Sequence, residues 1–256
     1  MPRWARFLTR PLVVLALLIL FIYSFGYQIM MMYETRHIAS QFPVIDKTPV
    51  ALTDLSVSPV ASKSFSLPGY TFELPWAGID AGRSKVFKSR LLIALQSGNA
   101  IIASSVPPQD FINGLESTFE MTREKLRQGF GDQAVKSDYD LKRLILYTTR
   151  KQINPFVPWR RSTSISMLLM FKGVMVPMSD SELYTIQKGE LKGFQLGDPK
   201  HRPAKMAIEL YDDDGEIELV FGQKPDGPTP SISQADLNCV IQSIHKTTAT
   251  DAALAN

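Results

Sequence analysis

The sequence predicts an α+β protein, an antiparallel sheet of about six strands covered by helices and preceded by one N-terminal transmembrane helix. Three observations carry this. The stretch Pro11 to Met32, PLVVLALLILFIYSFGYQIMMM, holds no charged residue. Downstream, strand-like runs come first, helical runs occupy the centre, and strands return before a closing amphipathic run. Two alternating runs flank Asp212-Asp213-Asp214-Gly215, and an Asp-Gly pair between such runs marks a β-hairpin.

The apolar stretch is long enough to cross a hydrocarbon core as a helix, the form in which its backbone polar groups are satisfied internally. Tyr23 and Tyr27 in its distal half fit an interfacial belt. Arg3, Arg6 and Arg10 precede it without an acid, which places residues 1–10 in the cytoplasm and the rest across the membrane. The rival is a signal peptide cleaved near Ser24-Phe25-Gly26. Apolar character resumes at Tyr27, which favours a retained anchor at 11–32. Either way the remainder is exported.

Residues 33–63 read as an extended tether, since Pro43, Pro49 and Pro59 prevent a long helix. Alternatively, Tyr33 to Gln41 prolongs the anchor helix. A folded domain is expected over 64–246, with 247–256 a disordered tail. It opens with two extended pieces in Ser64 to Trp76 around Pro68-Gly69. Strands follow at Arg90 to Gln96 and Asn99 to Ser105, joined through Ser97-Gly98-Asn99. Phe111, Ile112, Leu115, Phe119, Thr122 and Leu126 recur at helical spacing, which predicts one helix from Pro108 to Gln128, ended by Gly129 and Gly131. Ser137 is a helix cap for Leu141, Leu144 and Ile145, with a strand at Leu144 to Thr148 the competing reading. A third helix, Arg160 to Met175, is apolar nearly all round and should be buried. Strands at Glu182 to Gly189, Leu191 to Leu196, Lys205 to Tyr211 and Glu216 to Phe221 precede a helix from Ser231 to about Lys246, whose last turn would hold His245. This order, with its central helical block and closing helix, resembles the PsbP/Mog1-like sandwich over Ser64 to Lys246. The resemblance implies an accessory role acting through the surface and carries no functional residues across.

The chain has 256 residues and a formal net charge of +3, too mild for a nucleic-acid partner. Cys239 is its single cysteine, so the exported part has no internal disulfide and Cys239 reads as a packing residue. Asn99, Asn113, Asn154 and Asn238 all fail the glycosylation sequon, which favours a bacterial inner membrane protein with a periplasmic domain. No zinc, redox, dinucleotide or P-loop motif occurs, so no catalytic, cofactor or metal-binding residue is assigned. The acidic turn 212–214 lacks EF-hand spacing and reads as a hairpin tip. Gly189, Gly193 and Gly197 lie in strand context and read as bulges or close packing.

Two sites remain. Lys200, His201 and Arg202, in a loop bounded by Pro199 and Pro203, would contact an anionic ligand. Arg160 and Arg161 oppose the dipole of the helix they start and want another partner; with Trp159 they would meet the membrane surface. The expected function is a membrane-anchored accessory or interaction domain with envelope protein partners. The alternatives are a binding module for a small apolar or anionic ligand and an enzyme with a non-motif site.

Overall fold

A computed structural model describes residues 3–41, 43–53, 55, 62–76, 78–96, 99–119, 122–154, 156–176, 182–199, 205–222 and 232–247. The charge-free stretch lies in one helix, α1 (Arg3–Gln41), long and apolar enough to cross a membrane. It runs on through Tyr33 to Gln41, as the second reading of that segment expects. The rest of 33–63 is not a uniform extended tether. Pro43–Asp46 is a short 3₁₀ turn whose Val44 and Ile45 are buried, and β1 (Val50–Ala51) joins the sheet. Prolines stopped the helix here, but the apolar residues between them found a core to enter.

The main sheet has eight strands, not six. After β1, two strands stand apart, β2 (Lys63–Leu67) and β3 (Tyr70–Leu74). The others are β4 (Ile79–Val86), β5 (Arg90–Leu95), β6 (Ala100–Val106), β7 (Leu183–Lys188), β8 (Leu191–Leu196), β9 (Lys205–Tyr211) and β10 (Glu216–Gly222). Their order is β1-β7-β8-β9-β10-β6-β5-β4. Among the described residues of this sheet only β1 on β7 is parallel. The two extra strands are its edges. β1 is two residues long, and β4 is largely exposed and shifts register between Asp80 and Lys85, so neither needs hydrophobic alternation.

The helical block divides differently from the expectation. The long helix is two, α2 (Asp110–Phe119) and α3 (Arg123–Phe130). The Thr122 side chain accepts from Lys125 N, and Glu116 Oε1 accepts from Arg123 N at 2.8 Å. These bonds cap a new helix where the periodicity implied continuation. Gly131, at φ +83°, then ends α3, while Gly129 stays helical. The segment after Ser137 is helical, α4 (Asp138–Tyr147), not a strand. α5 (Trp159–Met175) buries Ile165, Leu168, Leu169 and Phe171, yet Met170 and Val174 are exposed. Lys172, which interrupts its apolar run, is fully buried. Its ammonium donates to the carbonyls of Ile45, Lys47 and Thr148, binding the segment after α1 to α4 and α5. Burial pulls that ammonium down to about 8, against the charge of Asp46.

The closing helix, α6 (Gln234–Ser243), starts at a Ser233–Asp236 capping box and is shorter than expected. Lys188 Nζ donates to the carbonyls of Gln242 and Ile244, satisfying its end. The chain then extends as β11 (His245–Lys246) in a small sheet ordered β11-β3-β2. His245 is therefore an exposed strand residue, not part of a helix turn. Thr247 N still donates to Gly69 O at 2.9 Å; the rest of the expected tail lies outside the described residues.

The layers follow from alternation along β9 and β10. Met206, Ile208, Leu210, Ile217, Leu219 and Phe221 share a core with α6 and the small sheet. Ala207 and Tyr211, with Phe194 and Leu196, face the other way and pack with α5, Leu146 of α4 and Met31 of α1. The sheet is thus the middle of three layers.

Candidate functional site

On the face of the sheet toward α4, alternation brings three acids inward: Glu209 on β9 and Glu216 and Glu218 on β10. In the β9–β10 register Glu218 stands opposite Glu209 and Glu216 opposite Tyr211. Like charges directly opposed destabilise a sheet unless a cation intervenes, and Lys142 intervenes. Its Nζ donates to Glu209 Oε2 at 3.0 Å and Glu216 Oε1 at 3.3 Å. Tyr211 OH donates to the same Glu209 Oε2 at 3.0 Å. The ammonium also lies 5.0 Å from the Phe111 ring centre and 5.4 Å from that of Tyr211. Lys142 is 7% exposed and both glutamates 4%.

α4 holds Lys142 there through its own capping. Ser137 Oγ accepts from Asp140 N, and the Asp138 carboxylate accepts from the backbone N–H groups of Phe111 and Ile112. The second pair of bonds ties the start of α2 to α4. Leu141, Ile145 and Leu146 enter the core beside it.

Burial is the largest influence on the Glu216 carboxyl, and with Glu209 it outweighs the attraction of Lys142. The group is pushed up to about 8. Burial also raises Glu218 and Tyr211. For Lys142 burial opposes the charge, but Glu209 and then Glu216 prevail and hold the ammonium above its ordinary value. Glu216 therefore keeps its proton at neutral pH, beside an ammonium that does not lose its own.

Glu216 also lines a cavity of about 320 Å³ with Lys136, Asp138, Tyr139, Lys192 and Asp213. Lys192 Nζ lies 4.5 Å from the Tyr139 ring centre, and that ring stacks on Phe194 at 5.2 Å. The lining is polar and of both signs. Such a site can hold a small polar group and exchange a proton with it through Glu216.

Lys200, His201 and Arg202 lie outside the described residues. Just before them Gly197 turns at φ +92°, and Asp198 Oδ2 accepts from Glu182 N. Trp159, Arg160 and Arg161 form the first turn of α5, whose N-cap, Pro158, offers no side-chain acceptor. Arg160 and Arg161 are exposed; the Trp159 side chain lies outside those described. This turn meets α1. Tyr27 OH and Thr163 Oγ1 share a hydrogen bond of 2.7 Å, and Gln28 Nε2 donates to Val157 O at 3.2 Å. Tyr27, expected in an interfacial belt, also forms a contact between anchor and domain.

Among the described residues no group of three or more His, Cys, Asp or Glu could hold a metal ion. The acidic turn is internally bonded, with Asp212 Oδ1 accepting from Asp214 N and Gly215 N, and Lys246 pairs with Asp212 and Asp214.

No protein-family model, curated protein or solved structure matches the chain. What it does must be read from its own geometry. Lys142 and its partners were not among the sequence-derived candidates, though one signal was present. The Asp-Gly turn fixes the hairpin register, the register puts Glu218 opposite Glu209, and such a pair demands a cation from the covering helix.

Glu216 yields a prediction. Its folded pKa is raised, so its contribution to stability is present below its ordinary range near 4.5 and is lost as pH rises through about 8. Glu216→Gln removes that dependence. In urea titrations the wild type should lose on the order of 4 kcal/mol relative to Glu216→Gln between pH 5 and 9. Parallel pH profiles for the two proteins would refute the raised carboxyl.

Proposed function

We propose that this chain is a single-pass membrane protein of the bacterial inner membrane. Its N-terminus is cytoplasmic, and its domain serves on the periplasmic side as an accessory module that binds envelope proteins rather than as a catalyst. The observation that carries this is the division of labour along α1. Val13 to Ile22 are exposed and apolar on every side, while Gln28, Met31 and Thr35, further along, are buried against the domain. A helix apolar all round needs lipid, and one that then packs on its own domain holds that domain at the bilayer. The arginines before the span support the orientation. The PsbP/Mog1-like resemblance belongs to this proposal, supported by the helical block between the two runs of strands and by the closing α6.

The test is a pair of fusions in a bacterial host. A C-terminal alkaline phosphatase should be active, and the chain should remain full length in the membrane fraction. A shortened chain in the soluble fraction would indicate a cleaved leader instead. Proximity labelling from the same terminus should enrich envelope proteins over an untethered periplasmic control, and equal labelling would sink the accessory role.

A further inference from the structure

The span and the domain overlap along α1, and the overlap fixes how deep part of the domain must sit. This rests on the reading of α1 as a membrane span. A hydrocarbon core about 30 Å thick takes about 20 helical residues. Between Arg10 and Glu34 the helix carries no charge, so a span of about 20 residues starts between Pro11 and Val14 and closes before Glu34. With about 20 residues submerged, its far edge falls between Met30 and Tyr33, leaving Phe25 roughly 7–12 Å inside the hydrocarbon. Tyr27 and Gln28 lie within about two turns of that edge.

Each of these residues touches the domain. The Phe25 ring meets the Phe156 ring edge-on, with centroids 6.4 Å apart. Gln28 bonds Val157, and Tyr27 bonds Thr163. The turn before α5 is built to project Phe156. Asn154 Oδ1 accepts from Phe156 N, and Asn154 O accepts from Val157 N. The Phe156 side chain is 88% exposed, its Phe25 contact aside. Exposed Arg160 and Arg161 follow within the next turn, where cationic ends can reach phosphates while their stems lie along apolar surface.

We infer that Phe156 and Pro158 are inserted in the outer leaflet beside the span, with Arg160 and Arg161 at the lipid headgroups. The occupant of this surface is the bilayer that α1 crosses. A protein partner is disfavoured because the apolar tip is contiguous with the helix and at its depth. The arrangement also explains the polar residues of the distal span. The Gln28 Nε2 group and Tyr27 hydroxyl donate to or share bonds with domain groups, which lowers the cost of placing these groups in lipid.

The test uses the full-length chain in vesicles of phosphatidylethanolamine and phosphatidylglycerol, with Cys239→Ser as background. Single cysteines at Leu17→Cys, Phe156→Cys and Lys88→Cys each carry an environment-sensitive fluorophore. Lys88 lies in the exposed turn before β5, near the sheet edge opposite β1. Because Phe156 makes so little protein contact, its replacement should leave the fold intact. The label at position 156 should emit as in an apolar medium and lose about half its intensity to a shallow nitroxide-labelled lipid, as expected of a group below the headgroups. The label at 17 should be quenched by a deep nitroxide, and the label at 88 by neither. A buried label at 17 with an aqueous label at 156 would overturn the insertion and leave the span intact. Aqueous emission from both would overturn the span as well.

Discussion

Replacing Lys142 by methionine is expected to destabilise the domain by about 3–5 kcal/mol. The side chain is only one atom shorter, so most of the packing against Phe111 and Tyr211 is conserved. The charge goes, and Glu209 and Glu216 remain 4% exposed with no cation between them. Tyr211 still donates to Glu209, but one hydroxyl does not replace the cation beside the Glu209 carboxylate and the Glu216 carboxyl. Guanidinium or urea unfolding at pH 7 measures the loss, and a deficit below about 1 kcal/mol would mean that the cluster does not bear on folding. Neutralising the site in the same background, as Lys142→Met/Glu209→Gln/Glu216→Gln, should return more than half of the loss, because neutral amides cost less to bury than a Glu209 carboxylate without its cation. Failure of the triple variant to recover would assign the effect to packing.

Gly193→Ala should be as damaging, for a reason that involves no charge. A Cβ built on Gly193 would stand 1.8 Å from Glu209 O and 2.9 Å from Leu210 Cα. Both are backbone atoms of β9, which is hydrogen-bonded on its other side to β10, so neither can yield without opening the centre of the sheet. Overpacking of this kind costs about 3 kcal/mol or more. Gly114→Ala is the control. A Cβ at Gly114 meets nothing within 4 Å, and alanine in an exposed helix position should stabilise by about 0.5–1 kcal/mol. Equal melting of the two variants would refute the close approach of β8 and β9. Since Glu209 belongs to the strand that must move, Gly193→Ala should also disturb the environment of Tyr211, visible in near-ultraviolet circular dichroism.

The parts of this fold that were legible are those in which a local pattern and the tertiary environment agree. β9, β10 and the turn between them combine alternation with Asp-Gly, and both signals act within a few residues. Ser137 caps α4 by the bond its position implies, and Gly193 proves to be a close-packing glycine. The division of the long helix was hidden because Leu126 continues the spacing begun by Phe111, whereas the interruption comes from the Thr122 and Glu116 side chains. β4 escaped notice because an exposed edge needs no apolar face. The buried lysines are the deeper case. Lys142 and Lys172 look like solvated interruptions in sequence, and their burial depends on groups far away along the chain: Glu209 and Glu216 for one, the Ile45 and Lys47 carbonyls for the other. Of the two candidate basic sites, Arg160 and Arg161 gained a structural setting beside α1, which no local pattern around them encodes.

The contact of α1 with α5, reinforced where Lys172 grips the backbone at Ile45 and Lys47, removes the swivel that a flexible connection would provide. In a bilayer the domain then inherits the tilt and azimuth of its helix, and the mouth of the Glu216 cavity is held at one height and one heading. Anything reaching it from within the same membrane would do so by lateral diffusion in two dimensions, with the angular search largely completed beforehand.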